Sequence, residues 1–170
     1  VGQVDMFLND IIDQPDNSSY FLGHYLFEKT QGNRYELIDG QQRLTTTVIF
    51  MSCLVKELRK RKIVRFDYNN MQYATEQIYE RYLQPRYGSQ KFETVPEDSS
   101  FFNRLIIECD SDYRIETGRR SERRIREASS FFEEKMATQT EEGTLFKWFH
   151  VIDNAIITTF LLSGESAKLT

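Results

Sequence analysis

The sequence predicts an α+β fold, in which a small core of strands and one helix is followed by a mainly helical part. Two short strand-like segments adjoin near the start of the chain, the most regular helical pattern follows them directly, and most later segments have helical spacing. We divide the chain into a core over residues 1–66 and a mainly helical extension over residues 67–170. The extension ends in a strand that could return to the core.

The first elements are a short helix and two strands. The helix is predicted over residues 6–12, and a polar, turn-rich loop follows it. Branched and aromatic residues predict strands over residues 20–27 and 34–38. A short turn-like segment separates the two strands, so they can pair as a hairpin.

The next helix has the clearest apolar stripe in the chain. Its apolar positions recur at spacings of four, three, four and three, and they are Leu44, Val48, Met51, Val55 and Leu58. Further apolar residues widen this stripe, so we expect the helix to lie between two layers. The cations of residues 59–62 favour the negative end of the helix dipole and mark its end.

The remainder is predicted to be helical up to a final strand. The predicted helices cover residues 71–83, 99–109, 121–136 and 144–153. We expect Asp98 or Ser99 to cap the second of these helices and Ser121 to cap the third. Residues 155–162 are rich in branched and aromatic side chains and are predicted to form a buried strand.

The composition is that of an ordinary globular protein. With 170 residues, 39% of them apolar and 28% charged, the chain can form one domain, or one domain with a small subdomain. Its longest apolar run is too short to span a bilayer, so no membrane partner is expected. The formal net charge is −4, whereas a domain that binds nucleic acid by itself usually has a basic surface. We therefore expect most of any DNA binding to lie outside this chain.

The N-terminal residues and the cysteines indicate the cellular setting. The chain starts without an initiator Met or a secretory signal, so we expect part of a longer cytoplasmic protein. Cys53 and Cys109 belong to no Cys-x-x-Cys pair, which argues against a disulfide or a zinc site. We expect two buried thiols.

The candidate site lies between the second strand and the main helix, at Asp39-Gly40-Gln41-Gln42-Arg43. A helix start exposes unpaired N–H groups and the positive end of the dipole, a combination that attracts phosphate. Gly40 allows a sharp turn and a close approach of a ligand. Arg43 can hold phosphate oxygens with its planar guanidinium, while Gln41 and Gln42 offer amide donors and acceptors.

Asp39 would repel a phosphate on its own. In a nucleotide site it can hold a magnesium ion, orient a water or fix Arg43. In the alternative interpretation Asp39 caps the helix, Arg43 pairs with it, and the glutamines are solvated. The residues by themselves leave both interpretations open.

Two segments of the chain resemble a known family. Tyr20-Phe21-Leu22-Gly23 and residues 35–46, which include Asp-Gly-Gln-Gln-Arg-Leu-Thr-Thr, are similar to the N-terminal domains of GmrSD restriction endonucleases. That family belongs to the ParB/sulfiredoxin-like fold group, so the resemblance implies a ParB-like core over residues 1–66. Residues 92–107, residues 121–132 and the final strand also match, so the resemblance covers most of the chain.

The resemblance implies a bacterial phage-defence protein in which this domain binds and hydrolyses a nucleoside triphosphate with Mg²⁺. A separate HNH-type nuclease domain, in the same or a partner chain, would cleave DNA. By position, Asp39, Gln42 and Arg43 become candidate catalytic residues, with Asp39 as the metal ligand. Gly40, Gln41, Gln42 and Arg43 become candidate nucleotide-binding residues. The alternative is a non-catalytic ParB-like module that binds DNA or protein.

Three further residues are weaker candidates for the nucleotide site. The hydroxyls of Thr45 and Thr46 could contact phosphate, although in a first helical turn such hydroxyls more often bond the backbone. His24 could face the nucleotide, or it could be a partly buried strand histidine. His150 is interpreted as structural. With only two histidines, no HNH constellation is expected in this chain.

Two basic runs, residues 59–65 and 119–126, could contact a DNA backbone. Such runs are more often a solvated helix end and an exposed helix face. The acidic overall balance favours this second interpretation.

Overall fold

The computed structural model describes residues 2–15, 18–32, 34–87, 91–110, 112–113 and 118–162. These residues form an α+β fold, as the sequence predicts. The helices are α1 (Gly2–Ile12), α2 (Gln41–Lys60), α3 (Thr75–Tyr82), α4 (Pro96–Phe102), α5 (Arg120–Ala137) and α6 (Glu142–Asp153). The strands are β1 (Phe21–Lys29), β2 (Tyr35–Asp39), β3 (Arg65–Tyr68), β4 (Met71–Ala74) and β5 (Ile156–Leu162).

β1 is the central strand of a three-stranded sheet with the order β2-β1-β5. β2 pairs with it in antiparallel orientation, with Leu26 opposite Asp39, which confirms the predicted hairpin. β5 pairs with the other edge of β1 in parallel orientation, with Gly23 opposite Ile157. The sheet therefore places the last described strand, β5, beside β1, on the edge opposite β2.

α2 lies at the centre of the core, and its residues 47–58 are almost all buried. It packs against α3, α5, α6 and a π-helical segment, so its predicted position between layers is confirmed. The ring centroid of Phe50 in α2 lies 5.7 Å from that of Phe7 in α1 and 5.4 Å from that of Phe132 in α5. These edge-to-face contacts hold α1 and α5 against the helix that carries the motif.

The predicted helix over residues 71–83 is wrong at its start. β3 and β4 form an antiparallel hairpin there, and α3 begins only at Thr75. Asn69 and Asn70 connect the two strands with positive φ angles of 49° and 60°. Two successive left-handed residues make a tight hairpin turn for which asparagine is favoured, so local turn chemistry decided this region.

The caps predicted for α4 and α5 are also wrong. No side chain caps either helix, and α4 starts before Ser99. Instead, the Ser121 hydroxyl donates to the buried carboxylate of Asp98, with a distance of 2.7 Å. Both residues therefore tie two helices together. Beyond α4 the chain continues as the π-helical segment Asn103–Ile107.

β5 is not the buried strand that the sequence predicts. Five of its apolar side chains are exposed, namely Ile156, Ile157, Phe160, Leu161 and Leu162. The strand lies at an edge of the sheet and pairs only with β1 among the described residues. A hydrophobic run marks a strand in both positions, so it does not distinguish an edge from a covered centre.

The two cysteines are free thiols, and only one is buried as predicted. Cys53 lies within α2, while Cys109 is half-buried and contacts the Ser52 hydroxyl at 3.5 Å. Among the described residues, no helix is both long enough and apolar enough to cross a membrane.

Candidate functional site

The junction between β2 and α2 turns at Gly40, which has a left-handed φ of 95°. A Cβ atom on this residue would lie 2.6 Å from the Tyr25 ring and 3.2 Å from the His24 carbonyl oxygen. Glycine is therefore required both for the backbone angle and for the close approach of β1. The predicted sharp turn is confirmed.

No side chain caps the first turn of α2. Asp39 Oδ1 instead accepts a hydrogen bond of 2.8 Å from the N–H of the adjacent Gly40. In the described part of the chain, the N–H groups of Gln41, Gln42 and Arg43 have no side-chain acceptor. The helix start thus keeps free donors and the positive end of its dipole, which attract anions.

The Arg43 side chain starts at this first turn and extends over β1 at Gly23. A Cβ atom on Gly23 would lie 1.9 Å from Arg43 Nη1 and 2.7 Å from its Cζ, so the missing side chain makes room for the guanidinium. Among the described residues, Arg43 has no hydrogen bond or ion pair through its guanidinium. Asp39 is not its partner, and the alternative in which these two residues pair is not observed.

Tyr25 lies on the same strand as Gly23, and its ring packs against Gly40. Its side chain is 2% exposed, and its hydroxyl has no hydrogen-bond partner in the described structure. Burial raises the pKa of this hydroxyl, and the charge of Arg43 opposes the rise. A buried hydroxyl without a partner costs about 1–3 kcal/mol, so folded proteins contain few such groups.

Tyr20, just before β1, belongs to the same electrostatic environment. Burial raises the pKa of its hydroxyl, the nearby Asp10 carboxylate raises it further, and Arg43 lowers it. The Arg43 guanidinium therefore acts on two tyrosine hydroxyls.

The other predicted residues of the motif differ in what they bond. The Gln41 amide donates to the Leu37 carbonyl at 2.6 Å and so fixes the start of α2 to β2. The Thr46 hydroxyl donates to the Gln42 carbonyl at 2.8 Å, so it bonds the backbone. The side chain of Gln42 is exposed, and Thr45 is half-buried.

The His24 side chain is exposed and points away from the motif, although its carbonyl oxygen lies near Gly40. Its ring centroid is 5.1 Å from that of Phe21 and 6.0 Å from that of Phe160. Because side chains alternate along a strand, His24 points to the face opposite that of Gly23 and Tyr25. The structure therefore does not bring His24 together with the guanidinium of Arg43.

The motif is open to solvent, since Asp39, Gln41, Gln42 and Arg43 are all exposed. The assignment of strand, turn and helix also predicts a concave pocket at this helix start. A cavity of about 620 Å³ lies elsewhere, between β4, α3 and the loop that follows it, and no motif residue lines it. Among the described residues, no cluster of three or more His, Cys, Asp or Glu side chains could hold a metal ion.

Sequence reasoning missed Tyr25 and the role of Gly23. The available signal was their spacing, because residues two apart in a strand share one face of the sheet. Which element covers that face depends on the tertiary packing of α2.

Comparison with known proteins adds one finding. The model of one protein family, the GmrSD restriction endonuclease N-terminal domain, matches residues 1–167. No curated protein and no solved structure matches the chain. The family match includes every helix and strand described above, and it confirms the resemblance carried by the motif.

Proposed function

The chain belongs to the GmrSD restriction endonuclease N-terminal domain family, and on this basis we propose that the β2–α2 junction binds the phosphates of a nucleoside triphosphate. One observation carries the proposal: the guanidinium of Arg43 lies over Gly23, beside the start of α2, and no described residue pairs with this group or caps the helix. A full positive charge next to free N–H donors suits a polyphosphate anion.

Asp39 and Gln42 are proposed to serve hydrolysis. One carboxylate oxygen of Asp39 accepts the Gly40 N–H, which leaves the second oxygen for another partner. A single free carboxylate next to a phosphate site fits Mg²⁺, which is usually held by one or two carboxylates together with phosphate oxygens and water. Bound there, Mg²⁺ would neutralise charge on the phosphates. The exposed amide of Gln42 would orient the attacking water.

The same proposal links the nucleotide to DNA cleavage by a separate HNH-type domain, in this protein or in a partner chain. This chain contains only two histidines, and the described structure places His24 and His150 on different elements, β1 and α6. The nuclease chemistry is therefore assigned elsewhere. Two free thiols are typical of a reducing compartment, and we assign the protein to the bacterial cytoplasm.

Thermal unfolding with Mg²⁺ and each of ATP, GTP, CTP and UTP tests the proposal, with inorganic tripolyphosphate as a probe of phosphate binding alone. A ligand at 100 times its Kd adds about 2.7 kcal/mol to the free energy of unfolding, which raises Tm by roughly 5–10 °C in a domain of this size. Arg43→Ala should remove the shift. Arg34→Ala is the matched control, because it removes an exposed arginine close to the same hairpin.

A folded chain whose Tm does not respond to any of these ligands would contradict the proposal. A non-catalytic module that binds DNA or protein would then be the better interpretation.

A further inference from the structure

We propose that the start of α5 binds the phosphate backbone of duplex DNA through Arg120, Arg123 and Arg124. In the part of the chain that the structure describes, these three exposed side chains make no hydrogen bond or ion pair. Arg119, directly before the helix, is also exposed and lies 4.0 Å from the Glu122 carboxylate. We call these four residues the α5 arginine surface. It is separate from the motif and goes beyond the proposed nucleotide site.

The four arginines lie on one side of α5. At 3.6 residues per turn they cover about 140° of the helix circumference and about 7.5 Å of its axis. The opposite side is buried against the core through Ile125, Ala128 and Phe132. The packing of α5 therefore holds the arginine surface toward solvent in a fixed orientation.

This placement does not serve the stability of the helix. Cations at a helix N-terminus face the positive end of the dipole, and neighbouring guanidiniums repel each other. Glu127 lies three or four residues beyond Arg124 and Arg123, the spacing of a helical ion pair, but it pairs with neither of them among the described residues. A polyanion would offset this repulsion.

Two arginines of the other basic run, residues 59–65, have an internal role. Arg59 makes two hydrogen bonds, of 2.9 and 2.8 Å, to the Glu76 carboxylate. Arg61 bonds the Glu57 carboxylate and the carbonyl oxygens of Met136 and Gln139. Two arginines of this run thus join helices, whereas the three arginines at the start of α5 make no such bonds among the described residues.

Duplex DNA fits the α5 arginine surface by charge and by shape. It carries one negative charge per ~1.7 Å of axis when both strands are counted, so it offers many phosphates to a surface of several arginines. One guanidinium group can donate two parallel hydrogen bonds to the oxygens of one phosphate. Single-stranded nucleic acids are usually held by aromatic stacking as well, and membranes by apolar side chains next to cations. Residues 119–124 contain neither kind of side chain.

Anisotropy titration of a labelled DNA duplex at several salt concentrations tests this inference. The variant carries Arg120→Gln, Arg123→Gln and Arg124→Gln together. The matched control carries Lys60→Gln, Lys62→Gln and Arg65→Gln, which removes the same charge from exposed positions of the other run. The α5 variant should lose at least about tenfold in affinity at low salt, and its salt slope should fall by about 2.7. The control should change affinity less than about threefold.

Three results would overturn the inference: wild-type DNA affinity in the α5 variant, an equal loss in the control, or binding of phosphatidylserine vesicles or single-stranded RNA in preference to the duplex. The α5 variant should stay folded, since removing cations from a helix N-terminus does not cost stability. If its Tm nevertheless falls, the three single Arg→Gln variants are titrated instead. Arg43→Ala should bind DNA like the wild type, so failure here is distinct from failure of the nucleotide proposal.

Discussion

At the residue scale, two glycines allow Arg43 and Tyr25 to reach their positions. Gly23 leaves space for the guanidinium, and Gly40 leaves space for the tyrosine ring. Both have φ angles in the left-handed half of the Ramachandran plot, at 122° and 95°. The site thus depends on the absence of a side chain at these two glycines as much as on the charged guanidinium of Arg43.

Gly40→Ala should lower the free energy of unfolding by about 1–3 kcal/mol, because the new Cβ meets the Tyr25 ring and the backbone angle is strained. Gly23→Ala should also be destabilising, because a φ of 122° is strained for any side chain, and it should weaken nucleotide binding because the new Cβ displaces the Arg43 guanidinium. Urea unfolding and nucleotide titration measure both effects. Gly143→Ala, in open space on α6, is the control and should be neutral or stabilising. Equal stability of the Gly40 and Gly143 variants would contradict the assigned role of the turn.

Arg43→Ala and Asp39→Asn should affect different steps. Loss of charge-assisted bonds to phosphate should weaken nucleotide binding by ~1.5–3 kcal/mol per bond. Asp39→Asn keeps the shape of the turn but removes the charge, so it should reduce turnover more than affinity. Both are measured in the full-length protein, after a melting control. Wild-type affinity and turnover in both variants would show that the motif is structural.

At the scale of elements, α4 and α5 are joined by a partly buried polar contact. The Ser121 hydroxyl donates to the Asp98 carboxylate, and Asp98 is 7% exposed. A buried carboxylate needs such a donor, because its desolvation is otherwise uncompensated. The contact therefore helps to set the position of the α5 arginine surface.

Ser121→Ala should destabilise the fold by about 1–3 kcal/mol, since it leaves the Asp98 carboxylate without this donor. Ser130→Ala, at an exposed position of the same helix, should stay within about 0.5 kcal/mol of the wild type. Urea unfolding midpoints of the two variants provide the comparison. If they coincide, water or another group satisfies the carboxylate, and the contact does not join the helices.

At the scale of the whole molecule, the core suppresses the ionisation of a thiol. Burial raises the pKa of Cys53 from its ordinary value of 9.0 to about 12, although Lys56 and Ser129 oppose the shift. The folded protein therefore favours the protonated thiol more than the unfolded chain does. The stabilisation from this group is complete below pH 9 and is lost as the pH rises toward 12.

The free energy of unfolding should fall above pH 9 more steeply in the wild type than in Cys53→Ala, by up to about 1.4 kcal/mol per pH unit. Urea unfolding of both proteins between pH 7 and pH 11.5 measures the two slopes. The raised pKa values of the tyrosines affect both proteins alike. The difference between the two slopes therefore reports on the Cys53 thiol alone. Parallel slopes would mean that Cys53 reaches solvent without unfolding.

The sequence by itself determined the features that depend on local pattern. The apolar spacing of residues 44–58 predicted α2, because a helix that is buried on several sides needs that stripe. The hairpin of β1 and β2 followed from two strand-like segments and a short turn. The motif also identified the family. Its five residues, from Asp39 to Arg43, are consecutive in the chain, so the sequence alone shows the whole motif.

Only the tertiary structure decided which groups are paired. Sequence alone could not show that, within the described part of the chain, Arg43 lacks an ion pair and the Tyr25 hydroxyl is buried without a partner, or that β5 is exposed. It also could not show that two arginines of one basic run are bonded internally, while three arginines on α5 make no such bonds among the described residues. The physical reason is that pairing and burial depend on residues distant in the chain, whose approach no local periodicity encodes.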